Sequence, residues 1–593
     1  MARGGIRMTR LAWVFGVFVL GFAAVVLRLV DLQVIHREAL AEESERIRTK
    51  FEEIEARRGD IYDRNHNLLA TTRTVRQVGV DPEVIVPDDK SKWHKLARLL
   101  NISYTDVYNK MKGGTREVDG KTRTIRWNVL ADAVEEKTYR EIQQLDIKGV
   151  YGNRYFKRVY PNDTLAAHVL GYVNKEDEPV TGIEKEMNFY LQGQRGWLET
   201  EYDGRRQEMA QFRKRQVDAE DGYHVSLTLD MMVQHVIELE FEEIEKLNPN
   251  GATIIVSDPA TGNILGMGNW PTYDPNEFNN TEKYSLSNQR NLALADIYEP
   301  GSTFKIVPIG AALSEEIINP AMTFNCSLDR VRFKGRVVRL PSDHGEDYGV
   351  ITVEDVIALS SNRGAAQVGM MLGEQRLYDY AKAFGFGEKT GFLLGPERGG
   401  ILHKPKNWDG LTISRLPMGH AIAVTPLQAH FAMSVLANDG VLMKPQIISR
   451  VTDSDGNLID SIEPKAIRRV ISSSAARTLS QMLVKGVSEE GTAPQAQIPG
   501  MEVAGKTGTA QRLDPNGGYS DTESDVSFIG YFPASDPRLV ISVVIYNPQV
   551  GSRYGGPLAG TSFKRISEQL IHLLGISPKA PIRDFLVMDD REE

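Results

Sequence analysis

From Leu11 to Leu27 the chain reads LAWVFGVFVLGFAAVVL, with no charged residue. A helix rises about 1.5 Å per residue, so such a run sits at the short end of what crosses a hydrocarbon core of about 30 Å. Arg28 interrupts it before Leu29 and Val30 resume, and a guanidinium at a helix end can snorkel to the interface. Arg3, Arg7 and Arg10 precede the run. Positive charge on that side predicts a cytoplasmic tail at 1–10, one transmembrane helix at 11–30, and everything later beyond the membrane. A cleaved signal peptide would need a small-x-small site after the run, whereas the sequence continues Arg28-Leu29-Val30-Asp31-Leu32-Gln33. No second apolar run of that length occurs, so a single pass is expected.

The chain has 593 residues, too many for one core and enough for about three or four domains. With 41% hydrophobic and 25% charged residues it has a globular composition. The net charge of −9 excludes general nucleic-acid binding, which needs a basic face. The one cysteine, Cys326, can form neither an intramolecular disulfide nor a cysteine-rich metal site. Residues 31–56 are charge-dense and free of Gly and Pro, with Leu40, Ile47, Phe51 and Ile54 at roughly helical spacing, which predicts a juxtamembrane helix. Short strands, turns and short helices are expected from 57 to about 230.

Near Gly251 the texture changes. Ala252–Val256 is a β-branched apolar run, Asp258-Pro259-Ala260-Thr261-Gly262 is a turn, and Asn263–Met267 returns as a second strand. Helices are expected at about 302–316, 353–371, 374–384, 425–438 and 561–574, with strands at about 502–511 and a pair within 525–547. The order strand, helices, strands predicts an α/β (α+β) layering, an antiparallel sheet flanked by helices.

Three short segments carry candidate chemistry. Ser302-Thr303-Phe304-Lys305 follows Glu299-Pro300-Gly301, a natural break before a helix. If Ser302 opens that helix, Ser302 and Lys305 share a face at i and i+3. A serine hydroxyl needs a base, and lysine can be that base only if burial or a neighbouring cation lowers its pKa. Pro308 conflicts mildly with a helix running on from Ser302. Alone the motif means little, since on the order of one or two S-x-x-K matches arise by chance in a chain this long. Ser360-Ser361-Asn362 follows the run Val353–Leu359 and suits a tight connection between helices, from which Ser360 can relay a proton and Asn362 can bond a substrate amide. Lys506-Thr507-Gly508-Thr509 suits a strand edge that a ligand approaches closely, with lysine and threonine for a carboxylate. The backbone N–H groups of Ser302 and Thr509 are the expected oxyanion hole. Lys389-Thr390-Gly391 repeats K-T-G, but after a Gly-rich helix exit rather than in a strand. His344, His420 and His430 lack metal spacing and are read as structural.

S-x-x-K, S-D-N and K-T-G form one set, found in class A β-lactamases and penicillin-binding proteins, and the three segments here stand in that order, with Ser361 in the place of the Asp. Over nearly its whole length the chain resembles the class B penicillin-binding proteins. Arg58-Gly59-Asp60-Ile61-Tyr62-Asp63-Arg64-Asn65, running to Leu69-Ala70, is similar to their first signature, with His66 in place of the usual Gly. Arg158-Val159-Tyr160-Pro161 with Ala167-His168-Val169-Leu170-Gly171 is similar to the second, Gly182-Ile183-Glu184 with Leu191-Gln192-Gly193 to the third, and Val424-Thr425-Pro426-Leu427-Gln428 is also family-like.

The resemblance implies a penicillin-binding transpeptidase (serine β-lactamase-like) fold at 231–577. It also implies a mixed non-catalytic pedestal of the dimerisation type at 57–230, in which Arg58, Arg64 and Glu184 are structural, and leaves a polar tail at 578–593. It implies D,D-transpeptidation of peptidoglycan stem peptides ending in D-Ala-D-Ala, with Ser302 as nucleophile, Lys305 as base, Ser360 as relay, and Asn362, Lys506, Thr507, Gly508 and Thr509 binding substrate. β-Lactams would acylate Ser302, and no metal or organic cofactor is implied. The implied location is the cytoplasmic (inner) membrane with the catalytic part on the periplasmic, extracytoplasmic side. Within the class the chain looks most like the division-specific FtsI type, which implies septal synthesis beside an FtsW-type glycan polymerase and other division proteins; the elongation-specific type is the alternative.

A β-lactamase or D,D-carboxypeptidase is a further alternative, for which Glu397 would be the deacylating base, although Ile401 stands where that family has Asn. A non-catalytic β-lactam sensor is another, disfavoured by the intact trio and the single pass.

Overall fold

The computed structural model describes residues 8–38, 40, 49–118, 121–201, 215–343, 345–513 and 517–577. Most of the expected cytoplasmic tail, the C-terminal tail at 578–593, and His344 lie outside the described residues. The apolar run forms a helix, Met8–Val30, prolonged by a π-helical turn over Asp31–Ile35. The span Leu11–Ile35 is long and apolar enough to cross a membrane.

The juxtamembrane expectation needs correction. Thr49–Ile54 is a strand, paired antiparallel to Gly196–Glu201, which in turn pairs with Arg215–Val217. Phe51 meets Trp197 diagonally across the pair, ring centroids 5.9 Å apart. Cross-strand partners distant in sequence override the helical spacing that Phe51 and Ile54 present locally. These strands belong to a small unit made of Met1–Arg57 and Gln192–Gly222.

The larger unit takes Arg58–Leu191 together with the chain from Tyr223 onward. One sheet runs across it: Leu458–Ser461, Ile448–Thr452, His224–Leu227, Ile61–Tyr62, Leu68–Val80 and Asn128–Glu135 lie in that order, with Val150–Val159 also on Leu68–Val80. Beneath the first signature, Glu184 is fully buried between two arginines. Arg58 Nε donates to it at 2.7 Å and Arg158 Nε at 2.6 Å, and Arg158 also reaches Gly59 O at 2.7 Å. Burial alone would push the Glu184 carboxyl up, but the two guanidinium groups hold it below its ordinary value. Arg64, by contrast, is exposed.

The C-terminal half is built on five antiparallel strands: β1 (Gly251–Ser257), β2 (Ile264–Trp270), β3 (Ala504–Leu513), β4 (Tyr519–Phe532) and β5 (Leu539–Tyr546), in the order β2-β1-β5-β4-β3. The hairpin expected at 252–267 is β1–β2. All eight residues of central β5 are buried, because both sheet faces are covered. On one face Ile254, Val256, Val543 and Phe528 pack with helices α1 (Met231–Glu245) and α6 (Thr561–Leu574). On the other, Ile255, Val544 and Ile529 pack with α2 (Ile306–Ser314), α3 (Asn362–Leu372), α4 (Pro426–Ala437) and α5 (Ser473–Val487). The alternation along each strand thus feeds two cores. His430 on α4 sits fully buried against the sheet, bonded to Ser257 Oγ at 2.7 Å and Ser542 Oγ at 3.0 Å, and burial lowers its pKa to about 3.

Candidate active site

Gly301–Lys305 forms a 3₁₀ turn that passes directly into α2. With about three residues per turn, Ser302 and Lys305 eclipse, so the shared face expected of a helix is present in tighter form. The conflict with Pro308 disappears, because the α-helix begins only at Ile306 and Pro308 lies in its first turn, where a missing N–H costs little. Ser360 occupies the connection between Val353–Ala358 and α3 in a left-handed conformation, φ 60°, and Asn362 opens α3. β3 is the edge strand next to β4, with Lys506 opposite Ile529, Gly508 opposite Ser527 and Thr509 opposite Val526.

Glycines let these backbones close up. A Cβ on Gly301, at φ 54°, would come within 2.8 Å of Thr509 O, and one on Gly508 would lie 2.8 Å from Pro300 O and 2.3 Å from Ser527 Oγ. The nucleophile turn and the Lys506–Thr509 strand therefore touch backbone to backbone, as an oxyanion hole shared by Ser302 and Thr509 requires. Gly301 N also donates to Gly419 O at 3.2 Å. Gly555 N donates to Thr509 Oγ1 at 3.3 Å, tying the 555–560 segment to the same edge.

Lys305 is completely buried. Its Nζ donates to Asn362 Oδ1 at 2.8 Å, to Ser360 Oγ at 3.1 Å and to the Ser360 carbonyl oxygen. Burial, then the nearby Lys506 charge, drives its pKa well below the ordinary lysine value, with Asp343 opposing. Lys506 is also buried and its pKa falls to about 7 through desolvation. Its Nζ lies 3.4 Å from Thr507 Oγ1, and among the described residues it has no carboxylate partner. Ser302 is half-buried, and its hydroxyl makes no hydrogen bond to another described residue, so a direct Ser302–Lys305 bond is absent in this resting geometry.

The motifs expected to converge do so, and the decoy does not join them. Thr390 N and Oγ1 donate to Glu397 Oε1 at 2.7 and 2.6 Å, so Glu397 is engaged in holding the Lys389–Gly391 turn. Two features had no sequence signal. Asp343 is buried beside Ser361 and Asn362 in a segment that matches no motif. Glu299, His420 and Tyr519 cluster immediately before the nucleophile: His420 Nδ1 lies 3.3 Å from Glu299 Oε2 and 3.1 Å from Tyr519 OH, and burial raises the Glu299 pKa. His420 thus stands beside the nucleophile turn, while His430 is in the core.

A hydroxyl one tight turn from a buried, charge-depleted lysine, against an edge strand carrying a second lysine, belongs to the class of serine acyl-transfer enzymes that use an amine as base. Comparison with known proteins narrows the class. Residues 252–568 match the penicillin binding protein transpeptidase domain, and residues 53–227 match the penicillin-binding protein dimerisation domain. Stage V sporulation protein D of Bacillus subtilis is 32% identical over 570 residues, covering 95% of this chain and 86% of that protein. Peptidoglycan D,D-transpeptidase FtsI of Escherichia coli K12 is 27% identical over 580 residues, covering 96% and 93%. Among solved structures, penicillin binding protein 3 of Mycobacterium tuberculosis, complexed with ampicillin, aligns with a TM-score of 0.67 at 26% identity over 89% of this chain and 99% of that one. The chain belongs to the penicillin-binding protein transpeptidase family.

Proposed function

We propose that this chain is a membrane-anchored peptidoglycan D,D-transpeptidase that works through an acyl-enzyme on Ser302. The observation that carries the reading is the buried Lys305 amine, one 3₁₀ turn from Ser302 and bonded to Ser360 and Asn362. A neutral amine keeps two N–H bonds and one lone pair. With the N–H groups on Asn362 Oδ1 and the Ser360 carbonyl, the lone pair is left for a hydroxyl proton. Ser302 Oγ attacks the penultimate D-Ala carbonyl and its proton passes to Lys305. The developing oxyanion lies between the Ser302 and Thr509 N–H groups. The bond to terminal D-Ala breaks as the proton moves through Ser360 to the leaving nitrogen. An amine of a second stem then attacks the ester, its proton returns along the same path, and Ser302 is released. Lys506, buried with no carboxylate partner among the described residues, with Thr507, Gly508 and Thr509, holds the terminal carboxylate, and Asn362 holds a substrate amide. β-Lactams enter the same path as substrate mimics.

The apolar helix Met8–Val30 and the arginines Arg3, Arg7 and Arg10 in the sequence support an N-terminus in the cytoplasm and a catalytic domain outside the cytoplasmic membrane. The resemblance to the FtsI type supports a septal role beside an FtsW-type glycan polymerase.

The test is fluorescent-penicillin labelling of the full-length chain in detergent, with Ser302→Ala alongside. A covalent adduct that the substitution abolishes is expected; an adduct that survives refutes the assignment of Ser302. Sustained turnover of a chromogenic β-lactam in place of a single burst would favour a hydrolase. A fluorescent fusion is expected at the septum, and uniform lateral wall signal would favour elongation.

A further inference from the structure

The turn that presents Ser360 and Asn362 is held from behind by a buried carboxylate. Asp343 follows the strand Arg336–Arg339 and is 3% exposed. Its Oδ2 accepts from Ser361 Oγ at 2.8 Å, and its Oδ1 accepts from the backbone N–H groups of Asn362 at 2.5 Å and Arg363 at 3.1 Å. The same segment fixes the Asn362 amide, because Asn362 Nδ2 donates to Ser342 O at 2.8 Å. That bond decides the amide's orientation and turns Oδ1 toward Lys305 Nζ. Ser361 Oγ also accepts from Gly364 N at 3.0 Å, closing the first turn of α3. The three residues clamped by Asp343 directly follow Ser360, whose left-handed backbone persists only where its surroundings over-determine it.

We propose that Asp343 is a positioning residue for acyl transfer, holding Ser360 and Asn362 against Lys305 and supplying the buried negative charge that offsets Lys506. The inference rests on Lys305 acting as the base. The groups around this pair are few. Lys305 faces Lys506 from β3 and Asp343 from the 341–343 segment. Asp343 acts in turn on Cys326 and Tyr348, which also feel Asp347 and Glu346 respectively. The Arg363 guanidinium is turned away to Cys326 O at 2.9 Å and Pro341 O at 3.3 Å. Asp343 thus has two separable effects, a geometric one through three hydrogen bonds and an electrostatic one on the base.

Two variants of the full-length chain separate them. Asp343→Asn removes the charge and disturbs the bonds; Asp343→Glu keeps the charge and displaces it. The readout is the second-order rate of acylation by fluorescent penicillin across pH, with thermal midpoints measured alongside. Both variants are expected to acylate roughly tenfold to a hundredfold more slowly. In Asp343→Asn the acid limb of the profile should also move to lower pH, by about a unit or less, because losing a nearby anion disfavours the ammonium form. In Asp343→Glu that limb should stay. A merely structural role would leave the limb in place in both. Rates within twofold of wild type in both variants, or a limb unmoved in a folded Asp343→Asn, overturn the proposal. Should Asp343→Asn not fold, Asp343→Glu decides on rate, and Ser361→Ala, which removes one donor to Asp343, must slow acylation at least about threefold. A wild-type chain that takes no label at Ser302 would instead overturn the function proposed above.

Discussion

Gly301→Ala tests the contact on which the site depends. Gly301 has φ 54°, where an alanine costs about 1–2 kcal/mol. Its Cβ would also stand 2.8 Å from Thr509 O, so the nucleophile turn and β3 must separate by about 0.6 Å to reach ordinary van der Waals contact. That displacement falls between the two N–H groups assigned to the oxyanion. If a misplacement of about 1 Å costs roughly a hundredfold in rate, 0.6 Å costs roughly ten- to twentyfold. Gly335→Ala is the control: Gly335 has φ 78° at a hairpin turn, and nothing lies within 4 Å of the added Cβ. It should therefore lose similar stability while keeping its reaction rate. The assay is stopped-flow acylation of the full-length chain by a chromogenic β-lactam, with thermal midpoints for both variants. Gly301→Ala acylating at the wild-type rate, or Gly335→Ala slowed as much, would refute the reasoning.

Glu184→Ala leaves two arginines buried around an empty site, and should destabilise the larger unit by about 3–5 kcal/mol, read as a lowered denaturation midpoint by circular dichroism. The pH profile of acylation should be bell-shaped. Its acid limb belongs to Lys305, which must be neutral, and its alkaline limb for kcat/KM lies near 7, where Lys506 loses the proton that attracts a carboxylate. A bound carboxylate favours the ammonium form, so the alkaline limb of kcat should lie above that of kcat/KM; coincident limbs would remove Lys506 from carboxylate binding. His430 binds protons more weakly folded than unfolded, so its contribution is intact above about pH 6.5 and is lost as pH falls toward about 3. Acid melts of His430→Gln should show a shallower loss of midpoint over that range than wild type.

What the sequence made legible followed from local rules. The β1–β2 hairpin, α4 behind Thr425-Pro426, β3 with its small residues and the final helix all carry their own period or punctuation, and the structure has them where those rules put them. Ser302 and Lys305 were readable as a pair because i and i+3 coincide on either helix type, even though the turn proved to be 3₁₀. What failed was non-local. Thr49–Ile54 reads as helix until Gly196–Glu201 supplies a ladder, with Thr49 opposite Glu201, 152 positions on, and Ile54 opposite Gly196, 142 positions on. Asp343 could not be found, because an aspartate gains a role here only when the start of α3 is folded onto it.

The electrostatics of the cleft follow the same logic. Lys305 and Lys506 are unremarkable lysines 201 positions apart in the chain; burial lowers the proton affinity of both, and the Lys506 charge lowers that of Lys305 further. With Lys305 neutral, the cleft keeps the Lys506 ammonium buried with no carboxylate partner among the described residues. In the function proposed above, the substrate's terminal carboxylate is the partner that Lys506 receives. On that reading, binding weakens the repulsion that keeps Lys305 neutral, and raises its readiness to accept the Ser302 proton at the moment the hydroxyl is asked to give it up.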